Sequence, residues 1–370
     1  MRLLFDMSDI HAGDRFKSGL ANYAYRSIAG FEALGYDDIS VLCREEAAAE
    51  LQALCPRFRL IRMPARRNWM PVSLDEGLAW RRMVNASGCD LLFRPFPVGV
   101  FKFLRVRIPY VMTIHDLQAY RVKKWYQSVF FKKYRLPLYI RRAQRVIAIS
   151  DYVRGEILQR FPHTDSDKVK TVRNAIEVHE YQSVPIPVEV PYILTVNHLV
   201  PYKNVITLLR AFDLLKDRIP HKLVIVGKET GHYREVLGPF IEAHALSDRV
   251  VHVPFASEDM LYSLYERMDL FVTTSLLEGL GATPVEAAEM GGPVISTRET
   301  ALPESTMELV DYYEPATDPE ALASRILETL SNPDTKRWES VKATFRRAYA
   351  YDARARELYD ALLESASEKR

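Results

Sequence analysis

Short apolar runs alternate with amphipathic segments along the whole chain, and this alternation limits the fold more than any other feature. The runs read RLLF, ISVL, FRLI, DLLF, YVMTI, RVIAI and VKTV in the first half, then YILTV, KLVIV, RVVHV, DLFVT and PVIS. Between runs lie segments of helical spacing such as NVITLLRAFDLL. Near-continuous apolar strands that alternate with helices are typical of parallel sheets covered on both faces. The sequence therefore predicts an α/β protein with doubly wound parallel sheets.

A proline-rich segment divides this pattern into two blocks. Residues 182–191 read QSVPIPVEVP, with three prolines in ten residues, as expected of a stiff extended linker. A chain of 370 residues with 48% hydrophobic content is long enough for two cores. We predict a Rossmann-like domain over 1–182, a linker over 183–191 and a second Rossmann-like domain over 192–347.

Composition excludes several classes of protein. The formal net charge is only +2, which gives no reason to expect a nucleic-acid partner. Cys43, Cys55 and Cys89 form no CxxC pair and no even framework, so we expect reduced thiols and a cytoplasmic protein. The first residues, MRLLFDMS, have no apolar signal region, and no run of eighteen apolar residues occurs. We therefore expect neither a signal peptide nor a membrane-spanning helix.

A glycine-rich loop with a glutamate at each end follows the strand DLFVT. The loop, 278–286, reads EGLGATPVE and lies where doubly wound sheets bind ligands, at the carboxyl edge. Thr283 to Glu286 fit the pattern of a capping box, so Glu286 has a purely structural alternative. Glu278 has none, because it precedes glycines that let the backbone approach a ligand. A helix N-terminus just beyond the loop attracts anions such as a diphosphate.

EGLGATPVEA, followed by GGPVIST and ALPE, resembles the E-x7-E signature of retaining glycosyltransferases of family GT4, among them bacterial surface-polysaccharide mannosyl- and rhamnosyltransferases. The resemblance implies a GT-B fold, with two Rossmann-like domains and a central cleft. It implies that Glu278 contacts the transferred sugar and that Glu286 contacts the ribose. The backbone of four residues between them would contact the sugar and phosphates: Gly279, Leu280, Gly281 and Ala282.

The stretch TVNHLVPYKN, at 195–204, resembles the segment that supplies the phosphate-binding lysine in this family. The resemblance assigns that role to Lys203, and Asn204 is expected to cap the following helix. Asn197 and Tyr202 depart from the family's glycine and arginine. His198 stands where some members have a phosphate-binding arginine, and we include it among the donor-binding residues.

Two stretches of the first half resemble the family's other conserved segments. In KSGLANYAYRSI, Gly19 opens a helix and would let the backbone approach the leaving phosphate. In YVMTIHDLQ, the strand ends at His115 and Asp116, which the resemblance places beside the donor sugar and the acceptor. A histidine satisfied at a sheet edge and a plain N-capping serine at Ser18 are the structural alternatives. The predicted catalytic residues are therefore His115, Glu278 and Lys203.

The segment TFRRAYAYDARARELYDALLES, at 344–365, resembles the family's closing helix, which returns to the N-terminal domain. We therefore expect a helix at about 348–370 to complete the first domain. A solvated C-terminal helix is the alternative.

The implied reaction moves a sugar from a nucleoside-diphosphate sugar to a hydroxyl with retention of configuration. The chain has no DxD segment in a suitable loop and no clustered His or Cys spacing, so we expect neither a metal ion nor another cofactor. The donor is expected to resemble GDP-mannose, and the acceptor is a glycan or a lipid-linked glycan in polysaccharide or O-antigen assembly. A non-catalytic nucleotide-sugar-binding protein and a GT-B epimerase are the alternatives.

A strongly basic stretch interrupts the otherwise balanced charge. Between Leu91 and Ser150, Asp116 is the only acidic residue. Aromatic and aliphatic residues interleave with the cations, a composition typical of surfaces that rest on anionic lipid. We predict peripheral contact of residues 94–145 with the inner face of the cell membrane; a solvated basic face is the alternative. The thirteen cations are Arg94, Lys102, Arg105, Arg107, Arg121, Lys123, Lys124, Lys132, Lys133, Arg135, Arg141, Arg142 and Arg145.

Overall fold

The computed structural model describes residues 1–11, 13, 19–64, 74–97, 106–117, 135–176, 178, 180–188 and 191–367. The chain divides into two units. Unit 1 combines Met1–Ala175 with Tyr351–Arg370, and unit 2 is Ile176–Ala350. The sequence places the boundary slightly later, in the proline-rich linker.

Unit 1 contains a seven-stranded parallel sheet with the strand order β3-β2-β1-β4-β5-β6-β7. In β1, β2, β4, β5 and β6 every residue is buried, which explains why these strands read as continuous apolar runs. The predicted parallel sheet is confirmed. The strands are β1 (Leu3–Asp6), β2 (Ile39–Arg44), β3 (Arg59–Met63), β4 (Leu91–Arg94), β5 (Tyr110–Ile114), β6 (Arg145–Ala148) and β7 (Val169–Thr171).

Five described helices of unit 1 connect these strands. They are α1 (Gly19–Ala33), α2 (Ala48–Leu54), α3 (Leu74–Ala86), α4 (Leu136–Arg142) and α5 (Asp151–Arg160). Helix α1 places Phe31 against Phe5 of β1, with ring centroids 6.0 Å apart. Ser150 caps α5, because its hydroxyl accepts a hydrogen bond from the Val153 amide.

Unit 2 contains a six-stranded parallel sheet with the order β10-β9-β8-β11-β12-β13. Its strands are β8 (Tyr192–Val196), β9 (Lys222–Val226), β10 (Val250–Val253), β11 (Leu270–Val272), β12 (Val294–Ser296) and β13 (Asp311–Tyr312). The sequence predicts five of them. It misses β13, because a strand of two residues is too short to show any periodicity.

The helices of unit 2 are α6 (Val205–Leu215), α7 (Gly238–Ala243), α8 (Glu258–Arg267), α9 (Ala282–Glu289), α10 (Leu302–Ser305), α11 (Pro319–Ser331) and α12 (Thr335–Ala348). Helix α6 confirms the helical spacing of NVITLLRAFDLL, since Leu208, Leu209, Phe212 and Leu215 are all fully buried.

The last described helix, α13 (Tyr351–Ser367), belongs to unit 1 although unit 2 precedes it in the sequence. Leu358, Ala361 and Leu362 enter the same core as Phe31 of α1. Tyr359 stacks on Tyr36 at a centroid distance of 3.8 Å. The helix is therefore a structural part of unit 1.

Each sheet reverses its strand order at one place, and these places position the candidate site residues. In unit 1 the reversal lies between β1 and β4, and in unit 2 between β8 and β11. The loops after adjacent strands diverge there and leave a crevice at the carboxyl edge, which is where open α/β sheets bind ligands.

Candidate functional site

The crevice of unit 2 brings Lys203 and Glu278 together. Lys203 ends the turn between β8 and α6, and Glu278 lies in the loop between β11 and α9. The Lys203 Nζ donates to Glu278 Oε1 at 2.5 Å, and the two side chains are only 14% and 12% exposed. The loops are also joined by their backbones, because the Leu276 amide donates to the Tyr202 carbonyl at 2.8 Å.

The position of Glu278 is fixed by a residue that the sequence reasoning did not single out. The Glu278 amide donates to Thr300 Oγ1 at 2.8 Å. Thr300 follows β12 and has a positive φ of 55°, a conformation that is uncommon for a threonine. Its only signal in the sequence is its place immediately before ALPE.

Gly281 sets the start of α9 and contradicts the predicted capping box. It occupies the N-cap position with φ 86°, so the helix begins at Ala282 and Thr283 lies inside the first turn. No described side chain forms a capping hydrogen bond at the N-terminus of this helix. A Cβ at Gly281 would lie 2.6 Å from Leu302 Cδ2 on a backbone with positive φ, so both packing and conformation favour glycine here. The first-turn amides of α9 therefore follow directly on the loop that carries Glu278.

The other predicted backbone contacts lie along the same loop. Gly279 and Ala282 are half-buried, whereas the Leu280 side chain is only 6% exposed. A side chain buried to this degree is held in the protein core. Leu280 can therefore serve a ligand only through its backbone groups.

Glu286 lies on α9 and contacts a buried tyrosine. The Tyr265 hydroxyl donates to Glu286 Oε2 at 3.3 Å. Burial, together with the Glu286 carboxylate, raises the pKa of Tyr265 well above its usual value, so this hydroxyl keeps its proton and remains a donor. The sequence reasoning missed Tyr265, since only the fold brings it to Glu286.

The segment around Lys203 departs from the prediction at Asn204. Asn204 occupies the N-cap position of α6 with φ 52°, but its side chain does not cap the helix backbone. Its Nδ2 donates to the Ala316 carbonyl, and its Oδ1 accepts from the Thr207 hydroxyl. Capping side chains usually extend from an N-cap residue in the β region, and the left-handed backbone of Asn204 departs from that geometry. The predicted capping role of Asn204 is therefore wrong.

His198 and Asn197 lie at the carboxyl end of β8. The His198 side chain is exposed, and Asn197 is buried with its Nδ2 bonded to Thr195 Oγ1. Gly227, which follows β9, approaches so closely that a Cβ there would lie 1.9 Å from the Asn197 carbonyl oxygen. The absence of a side chain at Gly227 thus allows the TVNHL segment to pack against it. In the sequence, the only indication of this role is that Gly227 directly follows an apolar run.

In unit 1, His115 follows β5 at the carboxyl edge of the sheet. Its Nε2 donates to the Pro95 carbonyl at 2.8 Å, and its ring meets the Tyr23 ring edge-on at 4.6 Å. Burial lowers the pKa of His115 to about 4, so the imidazole is neutral at pH 7. Because Nε2 carries the proton, Nδ1 is the nitrogen that keeps a lone pair.

Asp116 and Gly19 lie on the same unit as His115. Asp116 is exposed immediately after it. Gly19 is the first residue of α1, and no described atom lies within 4 Å of the Cβ that alanine would add. Packing among the described residues therefore does not require glycine at this position. Ser18 lies outside the described residues.

Two cations of the basic stretch are buried, which corrects their assignment to a membrane-facing surface. Arg94 is 1% exposed, with its Nη2 2.6 Å from Asp9 Oδ2 and its Nε 3.3 Å from Asp6 Oδ2. Arg145 Nη1 lies 2.9 Å from Glu364 Oε2. Because Arg94 and Arg145 are buried and paired with carboxylates, neither side chain can contact lipid. Seven further cations lie outside the described residues: Lys102, Arg105, Arg121, Lys123, Lys124, Lys132 and Lys133.

Within the described residues, no group of three or more His, Cys, Asp or Glu side chains could hold a metal ion. No helix in the same residues is both long and apolar enough to cross a bilayer.

Comparison with known protein families covers nearly the whole chain. Residues 17–180 match the family model described as Glycosyltransferase Family 4. Residues 179–347 match the model described as Glycosyl transferases group 1.

Individual relatives match more limited parts. The chain is 29% identical over 206 residues to an uncharacterized glycosyltransferase of Methanocaldococcus jannaschii, covering 51% of each. It is 25% identical over 236 residues to O-antigen chain mannosyltransferase B of Escherichia coli, covering 60% of this chain and 61% of that protein. The chain thus spans about half to three fifths of the length of these relatives. Among solved structures, Anabaena HepE in complex with UDP and glucose superposes with a TM-score of 0.73, 17% identity and coverage of 98% of this chain and 100% of that one.

Proposed function

We propose that this chain, which belongs to glycosyltransferase family 4 and has the GT-B fold, moves a sugar from a nucleoside-diphosphate sugar to an acceptor hydroxyl with retention of configuration. One observation carries the proposal. A lysine and a glutamate meet in the strand-order crevice of unit 2, directly before the N-terminus of α9. That arrangement offers a cation and helix amides for the two phosphates. It also offers a carboxylate that can accept hydrogen bonds from sugar hydroxyls, so one place supplies the groups that a sugar diphosphate requires.

Lys203 and the first turn of α9 bind the diphosphate. The ammonium is a donor only, so a phosphate oxygen can take the place of the Glu278 carboxylate as its acceptor. The amides that follow Gly281 add the positive end of the helix dipole. Negative charge develops on the leaving diphosphate during transfer, and fixed donors aimed at it lower the barrier. His198, exposed at the end of β8, adds a further donor for the same group.

The two glutamates bind hydroxyls on either side of the phosphates. Glu278 accepts hydrogen bonds from hydroxyls of the transferred sugar. Thr300 holds its backbone amide and Lys203 holds its carboxylate, so the carboxylate is already positioned when the donor arrives. Glu286 accepts from the ribose while Tyr265 fixes the orientation of its second oxygen. The backbone of the loop between them follows the sugar and the phosphates.

His115 contributes to the acceptor and sugar region as a neutral group. The Pro95 carbonyl fixes its tautomer, which leaves Nδ1 as the acceptor for a substrate hydroxyl. Asp116 borders the same region, and Gly19 leaves space at the start of α1. In the transfer itself, the bond between the anomeric carbon and the phosphate oxygen breaks as the bond to the acceptor oxygen forms. The acceptor proton passes to the leaving diphosphate, and no metal ion or other cofactor takes part.

We place the reaction in bacterial surface-polysaccharide assembly, with a donor of the GDP-mannose type. The support is the similarity to O-antigen chain mannosyltransferase B, which covers about three fifths of either chain. The acceptor is a glycan or a lipid-linked glycan. The protein is cytoplasmic and works at the inner face of the membrane through its basic surface.

A donor screen tests the proposal. GDP-, UDP- and dTDP-sugars are added to the full chain, and the melting temperature is recorded, because a ligand of the native state raises it by mass action. The stabilising donor is then incubated with detergent-solubilised lipid-linked glycans, with and without EDTA. We expect acceptor-dependent transfer that EDTA does not change.

Other outcomes of this screen contradict the proposal. Release of nucleotide and an epimerised sugar without any acceptor supports an epimerase. Stabilisation by a donor with no turnover against any acceptor supports a binding protein. No stabilisation by any nucleotide sugar contradicts the assigned donor site itself.

A further inference from the structure

The amino-terminal edge of the unit 1 sheet carries two cation-lined depressions that the proposed reaction does not use. The first is an open cavity of about 650 Å³ between the end of α3 and the start of β5. Arg81, Arg82 and Arg107 line it, together with Asn85, and no carboxylate does. Among the described residues, none of these three arginines takes part in an ion pair.

The second depression combines an apolar floor with a basic rim. It has a volume of about 440 Å³ and lies between the end of α4 and the turn that precedes β7. Ile140 and Phe161 contribute apolar surface, and Arg141, His163 and Lys168 contribute basic groups. The Lys168 ammonium donates to the Arg141 carbonyl at 2.8 Å, which joins the two sides of the rim.

Asp165 contributes a carboxylate to the lining of the second depression, and its charge acts on Lys168. It accepts from the Asp167 amide and so caps the short turn before β7. Arg160 also lines this depression, and its Nη2 lies 3.9 Å from Glu156 Oε1. Among the described residues, Arg141 and Arg142 take part in no ion pair, like the three arginines of the first depression.

The sheet topology places both depressions side by side. All strands are parallel, so the segments that enter β4, β5, β6 and β7 lie at one edge of the sheet, and these strands are consecutive neighbours. With strands about 4.8 Å apart, the four entry points extend over roughly 14 Å. Arg142, exposed beside Arg141 at the end of α4, adds a further cation at this edge.

We propose that unit 1 rests on anionic phospholipid through this amino-terminal edge, defined by Arg81, Arg82, Arg107, Arg141, Arg142 and Lys168. Cations around an apolar groove match a surface that presents phosphate groups above acyl chains, and each basic residue near such a surface adds to the attraction. The inference refines the membrane contact in the proposed function. It also selects Arg107, Arg141 and Arg142 from the basic stretch of the sequence.

This placement separates the lipid surface from the acceptor region. His115 follows β5 at the carboxyl edge, whereas Arg107 precedes β5 at the amino edge. Five residues of β5 at about 3.3 Å each hold the two edges roughly 17 Å apart. Such an orientation suits an acceptor whose reacting hydroxyl stands well away from its lipid anchor.

The test is co-sedimentation of the full chain with vesicles of phosphatidylcholine alone or mixed with phosphatidylglycerol, at low and high salt. The edge variant carries Arg82→Glu, Arg107→Glu, Arg141→Glu and Arg142→Glu. A matched segment variant carries Lys123→Glu, Lys124→Glu, Lys132→Glu and Lys133→Glu, and a unit 2 control carries Arg218→Glu, Lys336→Glu, Arg346→Glu and Arg347→Glu. Melting temperature and stabilisation by the donor's nucleoside diphosphate confirm folding of each variant.

We expect the wild type to bind only vesicles with phosphatidylglycerol and to dissociate at high salt. The edge variant should partition at least about 100-fold more weakly, while the segment variant and the control bind nearly as the wild type does. Binding of the edge variant at the wild-type level, or release by the segment variant alone, overturns the proposal. Indifference of the wild type to phosphatidylglycerol also overturns it and leaves an acidic protein as the partner of this edge. Transfer to a solubilised acceptor without vesicles is measured in parallel, so a failure of the lipid contact is distinguished from a failure of the enzymatic function.

Discussion

The ion pair between Lys203 and Glu278 determines how the candidate donor site works at the level of single residues. Both side chains are largely buried, so each needs the other as a counter-ion while no ligand is bound. An arriving diphosphate competes with Glu278 for the ammonium, and the sugar hydroxyls offer Glu278 new donors. Donor binding therefore exchanges one set of charge-assisted hydrogen bonds for another.

Glu278→Gln separates the two halves of that exchange. The amide keeps the shape but loses the charge that sugar hydroxyls and Lys203 contact. We expect turnover to fall at least about 100-fold, whereas the affinity for the bare nucleoside diphosphate stays equal or increases, because Lys203 loses a competing carboxylate. Steady-state kinetics and calorimetry measure the two effects. Wild-type turnover in Glu278→Ala would contradict the assignment.

Lys203→Met removes the other partner. We expect the nucleoside diphosphate to lose much more affinity than the nucleoside does, because the phosphates are the proposed partners of the ammonium. Calorimetry with both ligands checks this. Equal losses for the two ligands would indicate that Lys203 acts on folding and not on the phosphate.

His115 gives a prediction about pH. Its folded-state pKa of about 4 lies below the ordinary value of 6.5, so between these values the unfolded chain binds a proton that the folded chain does not. The stability from neutral His115 is complete above pH 6.5 and is lost as the pH falls towards 4, by up to about 1.4 kcal/mol per pH unit. We compare urea unfolding of the wild type and His115→Gln from pH 7 to pH 4.

Glutamine at 115 can place an amide donor near the position of Nε2, facing the Pro95 carbonyl, but it does not titrate. The free energy of unfolding of the variant should therefore fall less steeply with decreasing pH than that of the wild type. The other titrating groups are common to both proteins and cancel in the difference. Parallel curves would mean that His115 does not have a lowered pKa.

At the residue scale the sequence predicted Lys203 and Glu278 because a motif marks them. It did not predict Thr300 or Tyr265. These two residues act through contacts between segments far apart in the chain, and no local pattern reports which threonine or tyrosine the fold will bring to a glutamate.

At the scale of elements, the loop into α9 depends on the backbone of Gly281. The sequence correctly predicted a helix after the glycine-rich loop. It placed the helix start too late, because Thr-Pro-Val-Glu resembles a capping box and the left-handed conformation of Gly281 cannot be read from composition. The strand β13 was missed for a similar reason, since its pairing with β12 comes from tertiary structure and not from a local pattern.

Gly281→Ala tests this dependence. The new Cβ meets Leu302 at 2.6 Å in a backbone conformation that L-residues avoid, so we expect a loss of about 1 to 3 kcal/mol in the free energy of unfolding, with reduced donor binding. The matched control is Gly19→Ala, whose Cβ meets no described atom. The control should retain wild-type stability but lower turnover if α1 approaches the leaving phosphate. Equal stability of both variants in urea would contradict the role given to Gly281.

At the scale of the whole molecule, the sequence predicted two parallel-sheet units, and the structure confirms that architecture. The apolar runs carried that prediction, because strands buried on both faces must be apolar throughout. The exposure of the basic stretch was not predictable in the same way. Arg94 and Arg145 read as surface cations, yet carboxylates from distant positions, Asp9 and Glu364, hold them inside.

The attachment of α13 to unit 1 can be tested at Gly30. A Cβ there would lie 2.6 Å from the Ala355 Cβ, so Gly30→Val should force α1 and α13 apart and cost about 2 kcal/mol of stability. Gly155→Val, in α5 with open space around it, is the matched control and should cost nothing or stabilise slightly. Urea unfolding measures both. Stabilisation of unit 2 by nucleoside diphosphate should persist in Gly30→Val. If Gly30→Val proved as stable as Gly155→Val, the packing of α13 against α1 would be contradicted.

The place of α13 in the core of unit 1 has a consequence for synthesis on the ribosome. The strands of unit 1 are translated before unit 2, but Leu358, Ala361 and Leu362 emerge only after the whole of unit 2. Until then, Ile28 and Phe31 on α1 lack the helix that covers them, and the nascent chain exposes an apolar surface. Unit 2, which is continuous in sequence, can reach its native structure during that interval. The unit whose strands precede unit 2 in the chain is therefore the one whose core is completed last.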